Sequence, residues 1–266
     1  MPSSTIVVNH HTGRFQWRSR LRAAAIHLAL SVAVAAIGGL LVFALWYPYP
    51  YRDISGGREL FRLVVAVDVI IGPLITFAVF NRSKPDAELR RDLAVVAMLQ
   101  LAALCYGLWT VHLARPVHMV FEYDRFRVVH QVDIPVELHD KAPAGIDIAP
   151  WGGPTVIALR QFASPQENAE MTMQALGGIQ LSARPELWRP YATERKEVLL
   201  AAHPIATLTK KFPQRAAEIE EAVRKTGKPA SQVVYLPLVA RKDTAWTVLL
   251  DASSAAILAY LPLDPY

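Results

Sequence analysis

Asp68 is the residue best placed to do chemistry or to recognise a partner, because it is a carboxyl group inside an apolar stretch. Residues 63–80 number 18, and Asp68 is the one charged residue among them. A carboxylate inside a membrane costs a few kcal/mol, so it needs a hydrogen-bond partner, water or a proton. Gly72 and Thr76 follow at i+4 and i+8, which predicts one shared helical face. Pro73 lacks an N–H and predicts a kink beside this face.

Two interpretations of this polar face are open. In the first, the face is a notch that receives a transmembrane helix of a partner. In the second, Asp68 is tied internally to Tyr106 or Trp109, or reaches interfacial water. Gln100, in the next apolar stretch, is expected near the depth of Thr76, and a hydrogen bond between these two is the predicted internal arrangement. The candidate partner-binding residues are Asp68, Gly72, Pro73, Thr76 and Gln100.

The remaining sequence has no recognisable catalytic, cofactor or metal site. The pairs Gly56-Gly57 and Gly152-Gly153 lack the strand, helix and lysine that phosphate binding requires. The histidines of the C-terminal half lack metal-ligand spacing and are expected on the surface or on strand faces. We therefore expect a non-enzymatic protein with no cofactor and no metal. A membrane enzyme could be built at the outer interface from Asp68, Arg62 and the tyrosines 47, 49 and 51. It would need a second acid or a histidine near Asp68, and neither is expected at that depth in the first or third stretch.

Three stretches of the chain are long enough to be transmembrane helices. They cover residues 23–46, 63–80 and 93–114, and at about 1.5 Å per residue each can cross a hydrocarbon core roughly 30 Å thick. Eight basic residues flank one side of the three crossings and four flank the other, which predicts a cytoplasmic N-terminus. The predicted organisation is a cytoplasmic basic tail (1–22, with 1–13 disordered), a three-span transmembrane domain (23–114) and a periplasmic domain (115–266).

Charge excludes a nucleic-acid function. The net charge of +5 comes wholly from residues 1–114, because residues 115–266 hold 17 basic and 17 acidic residues. The predicted periplasmic domain therefore has no field that would attract a polyanion. The one cysteine, Cys105, lies in the third stretch, so this domain must fold without a disulfide.

Ser31, Ala35 and Gly39 form a small-residue stripe on the first stretch, and internal helix packing is its predicted role.

Residues 115–266 predict an α+β domain with antiparallel strands and about three helices. Two strands around a turn near Tyr123 are expected within 117–134, followed by a Pro/Gly-rich loop and a short strand at 155–159. Ser164 is the predicted cap of a helix that ends at Gly177-Gly178. The other predicted elements are helices over 191–202 and 214–226 and an antiparallel meander of strands at 232–240, 246–251 and 256–261.

The membrane half resembles a known family through a series of ordered segments. In chain order these are 45–48 (LWYP), 67–76 (VDVIIGPLIT), 79–81 (VFN), 90–93 (RRDL), 100–104 (QLAAL), 106–107 (YG), 114–117 (ARPV), 120–122 (VFE) and 124–126 (DRF). Their order is similar to that of the type IV pilin accessory proteins of the TfpX/TfpZ group. The close similarity covers about residues 22–130, and beyond it only the size, order and position of the elements match.

The resemblance implies an inner-membrane protein of a Gram-negative bacterium that is needed for efficient assembly of pili. It transfers no catalytic or binding residue. The implied partners are the major pilin, through its transmembrane helix and its periplasmic head, the pilus assembly machinery and the lipid bilayer. The alternative function is a membrane-anchored periplasmic ligand sensor or a regulatory subunit of a membrane complex. A sensor would need a cytoplasmic output module, and the predicted cytoplasmic segments are too short for one. A transporter subunit is disfavoured by a single intramembrane charge.

Overall fold

The structure is a computed structural model that describes residues 11–241 and 244–266, with side chains described from Trp17 onward. By internal contacts the chain divides into two compact units. The helical unit ends its first segment at Leu41 and continues over Glu59–Val111. The sheet unit comprises Val42–Arg58 and His112–Tyr266.

The first half of the chain consists of helices, two of them extended by π turns. In chain order these are α1 (His11–Leu41), a π turn (Val42–Trp46), α2 (Tyr51–Ile54), α3 (Gly57–Val65), a second π turn (Ala66–Ile71), α4 (Gly72–Val79) and α5 (Asp86–Leu113). Within the described residues, three helices are long and apolar enough to cross a membrane, and they cover Trp17–Trp46, Gly57–Val79 and Asp86–Leu113. The three predicted spans are confirmed by the length and apolar composition of these helices, and the chain is membrane-anchored. Of the predicted disordered segment 1–13, residues 1–10 lie outside the described part of the chain and 11–13 are helical.

The sheet unit is built on one mixed sheet. Its strands are β1 (Pro116–Glu122), β2 (Arg125–His130), β3 (Thr155–Leu159), β4 (Trp188–Pro190), β5 (His203–Pro204), β6 (Val233–Val239), β7 (Ala245–Asp251) and β8 (Ile257–Leu261). The strand order is β4-β3-β1-β2-β6-β7-β8, with β5 paired to β6. The α+β class and the antiparallel meander β6-β7-β8 are confirmed. The parallel pairings of β1 with β3 and of β2 with β6 were not predicted from the sequence.

Four α-helices accompany this sheet in the described residues. They are α6 (Pro165–Leu176), α7 (Arg195–Ala201), α8 (Ile205–Lys211) and α9 (Ala216–Lys225). The Ser164 hydroxyl accepts a hydrogen bond from the Glu167 backbone N–H at 3.1 Å, so the predicted helix cap is confirmed. α8 was not predicted, because seven residues after a proline are too few to show helical periodicity.

The core of the sheet unit includes residues from the loop between the first two spans. Tyr51 and Ile54 are buried in the same cluster as Phe121, Phe126 and Leu250. The Tyr51 side chain also hydrogen-bonds the Tyr260 side chain. The segment Val42–Arg58 is therefore part of this unit rather than a free connection.

Candidate functional site in the membrane-spanning helices

A π turn in the second span creates an unusual hydrogen-bond acceptor at Asp68. The turn Ala66–Ile71 comes directly before Gly72 and Pro73. In π geometry the carbonyl of a residue is directed to the N–H five residues later. For Asp68 that residue is Pro73, which has no N–H. The Asp68 carbonyl therefore needs a donor from outside its own helix.

Gln100 on α5 supplies that donor. Its Nε2 donates to the backbone carbonyl oxygen of Asp68 and to the Asp68 carboxylate Oδ1, each at 3.0 Å. This internal tie replaces the predicted bond from Asp68 to Tyr106 or Trp109, whose side chains are both exposed. The predicted Gln100–Thr76 hydrogen bond is wrong. The Gln100 amide instead donates to two acceptors of Asp68, its backbone carbonyl and its carboxylate.

Gly72 makes this approach possible. A Cβ at position 72 would occupy the space taken by the amide group of Gln100. Any residue other than glycine would therefore displace the amide from Asp68. The Oε1 atom of Gln100 is buried and has no partner among the described residues.

Thr76 pairs with His27, which was not among the predicted site residues. Its hydroxyl lies 2.5 Å from Nδ1 of His27 on α1. Asp68 and Thr76 therefore bond to different helices, although i, i+8 spacing had placed them on one face. That spacing assumes an unbroken α-helix, and the π turn breaks it. The signal for His27 was available, since a histidine inside an apolar span is a functional-site candidate by default.

The predicted candidate residues divide into buried and accessible groups. Gly72, Pro73 and Thr76 are buried within the helical unit. Asp68 and Gln100 are partly exposed and line two clefts. Their role in binding a partner stays a prediction.

The first cleft has a volume of about 270 Å³ and runs between the second and third spans. Apart from Asp68 and Gln100, its lining is almost wholly apolar, with Leu63, Val67 and Leu104 among the contributors. The second cleft, of about 230 Å³, lies between the first and third spans, and His27 and Ser31 add polar groups to it. The Asp68–Gln100 pair borders both clefts. The Oδ2 atom of Asp68 has no hydrogen-bond or ion-pair partner in the described part of the chain.

The small-residue stripe of the first span faces inward. Ser31 is buried, and a Cβ at Gly39 would lie 3.2 Å from the Phe61 ring. The predicted internal packing role is therefore confirmed for these two positions. α5 is less buried than this stripe, since Val96 and Val111 are its only buried residues in the described structure.

The sheet unit contributes buried histidines rather than a metal site. His118 lies on β1, fully buried against the Trp188 ring, and its Nδ1 is 2.8 Å from the Thr155 hydroxyl. Burial lowers the pKa of His118 to about 4, so the ring is neutral at neutral pH. Across residues 11–241 and 244–266, no group of His, Cys, Asp or Glu could hold a metal ion.

Known proteins resemble this chain over most of its length. The family model for the fimbrial assembly protein FimB matches residues 15–56. The "Fimbrial assembly protein, serogroup I" of Dichelobacter nodosus is 34% identical over 227 residues, which are 85% of this chain and 88% of the relative. The serogroup E1 protein of the same organism gives the same identity and coverage. The protein of serogroups C1 and C2 is 43% identical over 109 residues, covering 41% of this chain and 83% of the relative.

No solved structure gives a significant match to this chain. The similarity to the relatives spans both the apolar helices and most of the sheet unit. With one third of the residues identical over nearly nine tenths of a relative, this chain belongs to the fimbrial assembly protein family of type IV pilus accessory proteins.

Proposed function

We propose that this protein is a non-enzymatic accessory protein, or chaperone, that binds type IV pilin and promotes its stability or its assembly into pili. The proposal places the protein in the inner membrane with a cytoplasmic N-terminus and a periplasmic sheet unit. The excess of basic residues before the first span and between the second and third spans supports that orientation. The relatives named as fimbrial assembly proteins support the process in which it acts.

The observation that carries the proposal is the open carboxylate oxygen of Asp68 at the edge of an apolar cleft. Gln100 occupies only Oδ1, and no described residue bonds Oδ2. An acid exposed to acyl chains is costly, whereas a polar group of a neighbouring helix in the cleft would satisfy it. The cleft of about 270 Å³ is lined mainly by aliphatic side chains, which suits the surface of an apolar transmembrane helix.

The third span supports the same interpretation. α5 comes close to the second span where Gly72 meets Gln100 and where Gly107 meets Val64. Much of its apolar surface is exposed, including Leu99 and Leu101. Helices in membranes associate through close packing and hydrogen bonds, so α5 retains surface for a further helix. A pilin is a suitable occupant, because its long apolar N-terminal helix rests in the inner membrane before assembly.

The sheet unit would provide a second contact, with the pilin head. Two weak contacts on one chain raise the effective concentration of the second once the first has formed. On α6, Met173 and Leu176 are exposed apolar residues close to the helix end, and they mark a face where this contact can be tested.

Site-specific photocrosslinking in cells that express the pilin tests the proposal. A crosslinker at Leu63 or Leu104, which line the first cleft, should yield pilin adducts. A crosslinker at Leu40 is the matched control, because Leu40 is 73% exposed on α1 and lines neither cleft. A crosslinker at Met173 tests the second contact. The proposal fails if no position in the spans or in the sheet unit yields a pilin adduct.

A further inference from the structure

One loop of the sheet unit has the composition of a membrane-interface segment. Residues 142–154 (APAGIDIAPWGGP) contain one charged residue, Asp147, and otherwise only Ala, Pro, Gly, Ile and Trp. Trp151 is 59% exposed at this loop, although tryptophan is among the costliest side chains to leave in water. The indole N–H of Trp151 has no partner in the part of the chain that the structure describes.

Trp151 packs against residues at the ends of two apolar helices. Its ring centroid lies 5.6 Å from that of Trp46 and 5.1 Å from that of His112. Trp46 is the last residue of the first apolar helix, and His112 is the residue before the end of the third. The rings of Trp46 and His112 also contact each other at 4.7 Å. The exposed indole therefore lies beside the ends of two helices that are long and apolar enough to cross a membrane.

The loop is fixed in this position rather than left free. The Arg115 guanidinium donates one hydrogen bond to the carbonyl of Ala149 in the loop and another to the carbonyl of His112, each at 2.9 Å. On the other side of Trp151, Gly153 has a φ of +102°. A Cβ at Gly153 would lie 2.7 Å from the carbonyl oxygen of Leu45. The loop backbone thus contacts the last turn of the first span at a distance that only glycine permits.

We propose that Trp151 inserts its indole into the headgroup region of the bilayer, so that the sheet unit binds the membrane surface directly through the loop 142–154. The bilayer is the occupant that the position dictates, because the helices that end beside Trp151 are themselves embedded in it. Tryptophan is enriched at this depth since its ring is apolar while its N–H finds acceptors among headgroups. A loop almost free of charge enters that region without burying ions.

Depth-dependent fluorescence quenching tests this inference. The full chain is reconstituted into phosphatidylcholine vesicles whose acyl chains carry bromine near the headgroups or near the bilayer centre. The protein has six tryptophans, so the signal of Trp151 is taken as the difference between the wild type and Trp151→Phe. We expect this difference signal to be blue-shifted, quenched more by shallow than by deep bromine, and protected from aqueous iodide.

Two further variants keep the test decisive. Trp188→Phe removes a fully buried indole from the core of the sheet unit, so it should leave the shallow-bromine quenching unchanged. Gly153→Ala keeps Trp151 but pushes the loop from Leu45, and it should reduce that quenching while the circular dichroism spectrum stays that of the folded protein. A Trp151 signal that iodide quenches strongly, and that shallow bromine does not quench, would overturn the inference.

Discussion

The side-chain amide of Gln100 lies in the space that a Cβ at Gly72 would need, and from there it donates two hydrogen bonds to Asp68. This arrangement joins the second and third spans around a π turn. It also leaves one carboxylate oxygen of Asp68 open to the clefts beside α5. Because these side chains contact one another, a substitution at one position should change the effect of a substitution at another. That coupling can be measured.

Gly72→Ala should displace Gln100 from Asp68 and lower the free energy of unfolding by about 1 kcal/mol, the scale of one hydrogen bond between membrane helices. Gln100→Ala should cost a similar amount. Once Gln100 is shortened, the added methyl at position 72 meets empty space, so Gly72→Ala should be close to neutral in that background. A double-mutant cycle on the detergent-solubilised protein measures this coupling. Strictly additive effects would show that the two positions do not compete for one space.

Asp68→Asn should reduce pilin accumulation and surface piliation. The substitution keeps an Oδ1 that accepts the bond from Gln100, but it replaces the open carboxylate oxygen with an NH₂ donor. Pilin immunoblots and counts of surface pili measure the outcome. Gln100→Ala is the useful comparison, because it removes the internal tie and keeps the carboxylate. Normal piliation in Asp68→Asn would favour a purely internal role for Asp68.

Thr76→Val should destabilise the helical unit by about 1 kcal/mol, because it removes the hydroxyl that pairs with His27 at 2.5 Å. Val keeps the branched shape, so packing against α1 is retained. Thr110→Val is the matched control, since the Thr110 hydroxyl donates to the Tyr106 carbonyl of its own helix and bonds no other helix among the described residues. Thermal unfolding in detergent compares the two. Equal shifts would contradict a specific role for the His27–Thr76 pair.

Tyr51→Ala should destabilise the sheet unit by about 3 to 5 kcal/mol, as expected for removing a large buried aromatic side chain. Tyr51 is 5% exposed in the main core cluster and also bonds Tyr260. Tyr266→Ala is the control, because that ring is 57% exposed. Chemical denaturation followed by tryptophan fluorescence measures both. The same core argument predicts that residues 115–266 expressed alone are less stable than they are in the full chain.

The sheet unit should lose stability as the pH falls from about 6.5 to about 4. Burial lowers the pKa of His118 from 6.5 to about 4, so in this window the unfolded chain binds a proton that the folded chain does not. The loss is about 1.4 kcal/mol per pH unit, or about 3 kcal/mol over the window. Above pH 6.5 this group contributes no pH dependence. Denaturation midpoints across the window should fall less steeply in His118→Gln, and an unchanged slope would contradict the assignment.

Local patterns in the sequence were sufficient for the elements with strong local signals. The spans follow from runs of apolar residues, and the cap of α6 follows from Ser164, Pro165 and Glu167 in order. The hairpin β1-β2 and the meander β6-β7-β8 join strands that are close in sequence. The parallel pairings β1-β3 and β2-β6 were missed, since they depend on long connections whose path no local pattern reveals.

The sequence by itself determined that Asp68 is an intramembrane acid in need of a partner, and that Gly72, Pro73, Thr76 and Gln100 belong to its surroundings. Only the tertiary structure decided that Gln100 bonds Asp68, that Thr76 bonds His27, and that Tyr51 is buried in the core of the sheet unit. The physical reason is that a hydrogen bond between helices depends on their relative rotation and depth. A π turn before Pro73 changes that rotation within one helix, and α-helical periodicity assumes a constant one.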